Sequence, residues 1–75
     1  LSAFPFSSDK LAEAVRSLGW TNRTEIKMRN FTHDPEEIRR GLELRAHSHD
    51  APFGTILLFT WNRKPWAILA RREHE

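Results

Sequence analysis

Residues 54–72 read GTILLFTWNRKPWAILARR, and the fold turns on how they are read. Two apolar runs, 55–61 and 66–70, flank the polar break 62–65, Asn-Arg-Lys-Pro. Apolar runs rich in β-branched and aromatic residues, joined by a short polar break, predict a β-hairpin. Side chains alternate along a strand, so Ile56 and Leu58 go to one face and Leu57, Phe59 and Trp61 to the other. Both faces are apolar. A surface hairpin would carry one polar face, so this one is expected to be covered on both sides.

The rest of the chain is too short to cover both. At 75 residues it makes one small domain, 1–75. A domain of this size hides only roughly 60% of its unfolded-chain surface, and its stability is marginal without help. Without cysteine, neither disulfides nor thiolate ligands can supply that help. Association is the remaining aid, and a homodimer is the expectation, with Leu57, Phe59, Trp61 and Trp66 as its interface. The cysteine-free composition fits a reducing, cytoplasmic compartment. No segment approaches the roughly 20 apolar residues that span a bilayer, so no membrane partner is expected.

Taken in order, 1–6 is a short apolar arm containing Pro5 and is expected to be extended. Ser7, Ser8 and Asp9 offer capping oxygens, and Leu11, Ala14, Val15 and Leu18 recur at helical spacing before Gly19, predicting a helix over 8–18. The stretch 24–31 alternates, with Ile26 and Met28 opposite Glu25, Lys27 and Arg29, and reads as a strand with one wet face. Asp34-Pro35-Glu36-Glu37 is a helix start with a cap, a proline at the first helical position and acids in the first turn. That helix is expected over 35–48, burying Ile38, Leu42 and Ala46. The predicted fold is α+β, in the order α-β-α-β-β, with two helices on a three-stranded sheet that ends in the hairpin.

The chemistry-bearing residues are sparse. His47 and His49 could chelate from an extended segment, but on a helix two such rings diverge by about 200°. No metal or other cofactor is expected. The acids Glu36 and Glu37 are explained by the helix start, and no glycine-rich phosphate loop exists among three glycines. A metal-independent ribonuclease needs only His, Glu and Arg, which the tail Arg71-Arg72-Glu73-His74 contains. The three tryptophans can stack bases, though in a small domain such residues more often fill a core or an interface. Net charge is +2, with the basic set dominated by arginine, whose planar fork of donors suits phosphate.

From Phe31 onward the chain resembles the N-terminal domain of prevent-host-death antitoxins (Phd/YefM type). The resemblance rests on a strand, a helix of mixed charge and a hairpin in which Thr60, Lys64, Pro65 and the aliphatic residues after the proline match. Arg63 stands where the turn glycine of that family usually lies, Trp61 where arginine is common, and a helix over 8–18 is not typical of it. The resemblance implies a dimeric repressor that binds operator DNA and a partner toxin, and it implies no catalysis. Phosphate contacts are then expected from Lys27, Arg29, Arg39 and Arg40. The reading is thus a small dimeric nucleic-acid-binding regulator. A protein-interaction module whose sheet face docks a partner, and a small nuclease or toxin, are the alternatives.

Overall fold

A computed structural model describes residues 2–71, with the side chain of Ser2 left out. It is α+β: strand β1 (Ser2–Pro5), helix α1 (Ser8–Leu18), strand β2 (Glu25–Arg29), helix α2 (Pro35–Leu42), then strands β3 (Gly54–Trp61) and β4 (Lys64–Arg71). The four strands form one mixed sheet in the order β1-β4-β3-β2. β3 and β4 pair antiparallel as the expected hairpin, β1 pairs antiparallel with β4, and β2 runs parallel to β3. The parallel pair follows from α2, which carries the chain back between β2 and β3.

The expected three-stranded sheet gains a fourth strand from the N-terminal arm. Ala3 pairs with Ile68, Phe4 with Ala67 and Pro5 with Trp66. Pro5 is tolerated because β1 is an edge strand, where a missing N–H interrupts no ladder. Phe6 then donates its N–H to the Pro65 carbonyl at 2.9 Å.

α1 covers its predicted range. Ser7 caps it through its side-chain oxygen, which accepts from the Lys10 N–H at 3.5 Å. Gly19 ends it in the left-handed region at φ 70°. The Gly19 N–H donates to the Arg16 carbonyl and the Trp20 N–H to the Val15 carbonyl, a Schellman closure. Trp20 and Val15 are both buried, so the closure carries its hydrophobic contact as well.

α2 is shorter than expected. It stops at Leu42, not at residue 48, and Ala46 is exposed. Glu43 turns left-handed at φ 50° and donates its N–H to the Arg40 carbonyl. The chain beyond is held extended. Thr21 and Arg45 form a parallel bridge, and the Asn22 N–H donates to the Arg45 carbonyl at 2.8 Å. A pairing distant in sequence thus overrides the helical pattern of 43–48.

Both helices pack on one face of the sheet. Leu11 and Val15 of α1 and Leu42 of α2 meet Ile56 and Leu58 of β3 and Ala67 and Leu69 of β4, with Trp20 completing the core. Leu11, Ile56, Leu58 and Ala67 have no measurable exposure. The opposite face has no helix on it.

Candidate nucleic-acid interface

Pairing registers decide which side chains share the open face. Trp61 pairs with Lys64, Phe59 with Trp66 and Leu57 with Ile68. Paired residues point the same way, so the four expected interface residues Leu57, Phe59, Trp61 and Trp66 lie on one face. Leu57, Phe59 and Trp66 are half-buried, while Trp61 is 65% exposed. On β2, Lys27 stands beside Leu57 and Arg29 beside Phe59, both exposed. The open face is therefore an apolar centre with a cationic edge.

The hairpin turn differs from the expected four-residue break. It consists of Asn62 and Arg63 alone, at φ 54° and 65°. Two left-handed residues in succession make the type I′ geometry that matches strand twist. Asparagine accepts this conformation readily and arginine does not. The short turn brings Arg63 and Lys64 next to Trp61. The same end of the sheet holds Arg29, the last residue of β2. Among the described residues, none of Lys27, Arg29, Arg40, Arg63 and Lys64 has a carboxylate partner. Arg63 and Lys64 were not among the expected nucleic-acid contacts. Their signal was the spacing Trp-x-Arg-Lys across a two-residue turn, hidden by reading the turn as four residues.

Arg39 and Arg40, adjacent in sequence, have different surroundings. Arg39 is half-buried, and its guanidinium donates from Nη1 to the Asn22 carbonyl at 3.1 Å and from Nη2 to the Thr24 carbonyl at 2.8 Å. That fork ties α2 to the segment entering β2. Arg40 is exposed on α2, away from the open face of the sheet.

His47 and His49 are not on a helix. His47 Nδ1 lies 2.8 Å from the Thr21 hydroxyl, and its Nε2 lies 3.5 Å from Arg23 Nη1. A guanidinium only donates, so Nε2 accepts and Nδ1 carries the proton given to Thr21. Arg23 also sits 4.8 Å above the Phe53 ring, and His47 meets that ring edge-on. His49 and Asp50 form an exposed pair at 3.8 Å. Among the described residues, no three His, Asp or Glu side chains converge as a metal-holding group. Arg72, Glu73 and His74, on which the ribonuclease alternative rests, lie outside the described residues. No described helix is long and apolar enough to cross a membrane.

A second feature lies on the helical side. Phe6, Phe31 and His33 cluster with ring centroids 5.0–5.4 Å apart, Phe31 edge-on to Phe6. Beside them a groove of about 190 Å³ runs between α1 and α2.

Comparison with known proteins corrects the antitoxin resemblance. The THUMP domain-like family model matches residues 1–72, including the arm and first helix that the antitoxin reading left unexplained. The matching residues Thr60, Lys64 and Pro65 describe a hairpin that other folds also use. The antitoxin-repressor expectation loses its support with that resemblance. No curated protein matches the chain. The crystal structure of a "putative methyltransferase" from Porphyromonas gingivalis W83 is similar in fold, with a TM-score of 0.62 at 21% identity. The likeness covers 100% of this chain and 17% of that one, so this chain spans a small part of the longer protein's length. On the extent of the family match, the chain belongs to the THUMP domain-like family.

Proposed function

We propose that this domain is an RNA-holding module of an RNA-modifying protein, with the hairpin end of the sheet as its contact surface. The observation that carries the reading is the convergence of exposed Trp61 with Arg29, Arg63 and Lys64 at one end of an open sheet face. Aromatic faces stack unpaired bases, and unpaired cations take the phosphates between them. The family's link to RNA modification and the methyltransferase description of the structural neighbour support the same reading. The domain is a binding module, and the chemistry belongs to another part of a longer polypeptide.

The test is fluorescence titration with a single-stranded RNA oligonucleotide at low salt. Tryptophan emission should quench on binding, and Trp61→Ala should weaken affinity by about 1–3 kcal/mol, the range for one stacked base. No quenching and no retained RNA in a gel shift would end the proposal.

The apolar centre of the same face favours a second reading, a protein contact. Leu57, Phe59, Trp66 and Ile68 are only half-buried and no helix lies over them. A second copy of the chain is one way to cover them. A solution mass of twice 8.8 kDa, reduced to one copy by Leu57→Glu, would favour that reading.

A further inference from the structure

The groove between α1 and α2 has the build of a site for one planar ring. Its floor is apolar: Leu11 and Leu42 are buried and Ile38 is half-buried. Phe6 forms a wall, stiffened by its edge-on contact with Phe31 at 5.1 Å. The mouth is polar, with exposed Ser8, His33 and Glu37 around it. An apolar cavity of roughly 150 Å³ takes one benzene ring. At about 190 Å³ and open at the mouth, this groove has room for a base.

Gly41 is the second observation. It lines the groove from within α2, and a Cβ added there meets nothing within 4 Å. Neither packing nor a positive φ requires glycine at this position. Glycine is also a poor helix residue. Its effect here is to leave the groove unfilled.

One wall of the groove, Phe6, adjoins the cationic hairpin. Phe6 is bonded to Pro65, the residue after Lys64, and Phe31 follows Arg29 by two positions. A strand whose phosphates rest on Arg63 and Lys64 can therefore turn one base past Phe6. Glu37 has no carboxylate-binding partner among the described residues. An ionised carboxylate only accepts hydrogen bonds, and its two oxygens match two adjacent N–H donors. Among bases, guanine presents such a pair on its Watson–Crick edge.

We infer that the α1/α2 groove binds a single unstacked guanine, held between the Leu11–Ile38–Leu42 floor and Phe6 and read by the Glu37 carboxylate. The arrival of a base there rests on the RNA reading above, but its capture can be measured alone. The experiment is an NMR titration of the 75-residue chain with guanosine 5′-monophosphate, repeated with adenosine 5′-monophosphate. The guanine nucleotide should shift the amides of Leu11, Ile38, Gly41 and Leu42, with the adenine nucleotide at least about tenfold weaker. Glu37→Gln should remove most of that discrimination. Gly41→Leu should abolish the groove shifts without lowering the melting temperature. Equal binding of both nucleotides, unmoved groove resonances, or binding untouched by Gly41→Leu would each overturn the inference. RNA bound at the hairpin end with a silent groove would sink the pocket alone. Mononucleotide in the groove without oligonucleotide affinity would sink the RNA reading alone.

Discussion

At Gly54 the backbone of β3 runs directly under the Trp20 indole. A Cβ there would sit 2.4 Å from Trp20 Cζ2 and Cη2 and 2.5 Å from the Ala70 carbonyl. The indole is buried in the core and the carbonyl belongs to the paired strand, so neither can yield cheaply. Gly54→Ala is expected to destabilise by about 3 kcal/mol, the upper range for overpacking. Thermal melting should register it as a loss of roughly 10 °C or more. Arg63 is the converse case. Its φ of 65° is strained for arginine, and Arg63→Gly relieves that strain. Stability should rise by about 0.5–1 kcal/mol, while RNA affinity falls because a cation is lost. A variant that gained stability and kept full affinity would detach Arg63 from the binding surface. A strained arginine at this point is consistent with a binding role.

Among the elements, the hairpin and α1 were legible because their signals are local. A Ser cap, an apolar stripe and Gly19 lie within a few residues of one another, and the 55–61 run contains no breaker. β1 was legible as an extended arm but not as a paired strand. Four residues with a proline carry no period, and β1 exists only because β4 offers a free edge. The end of α2 failed for a related reason: the Thr21–Arg45 bridge competes with helix beyond Leu42, and nothing near residue 43 announces it. The candidate site was half legible. Lys27, Arg29, Leu57, Phe59 and Trp61 follow from alternation alone, whereas Trp66 needs the pairing across the hairpin, and Arg63 and Lys64 depend on the turn being two residues long. The groove depends on how α1 meets α2, which no local pattern encodes. Arg39 shows why residue type is a poor guide to role. Its fork spans two backbone carbonyls of the 22–24 segment, so Arg39→Ala is expected to destabilise by about 1–2 kcal/mol. Lysine, with a point charge in place of a fork, should recover only part of that loss in a denaturant titration.

For the molecule as a whole, the net charge of +2 is too small to hold RNA by a diffuse field. Binding has to come from cations gathered in one place, and the sheet gathers Arg29, Arg63 and Lys64 at the hairpin end with Lys27 two residues further in along β2. Arg40 lies on the helical side, away from that face. Salt dependence separates the two surfaces. Each phosphate contact contributes about 0.7 to the slope of log affinity against log salt for a single strand. Replacing Arg63 and Lys64 together by alanine should flatten the slope by about 1.4. Arg40→Ala should leave it where it was, because a charge that touches no phosphate releases no counterion. Arg40 can stand as the control because it makes no ion pair among the described residues, so its removal breaks no described pair. Arg39 cannot, since its loss weakens the fold and would lower affinity without reporting on phosphate. If Arg40→Ala flattened the slope as much as the hairpin pair, RNA would lie across the helices and the open sheet face would be left for a protein partner.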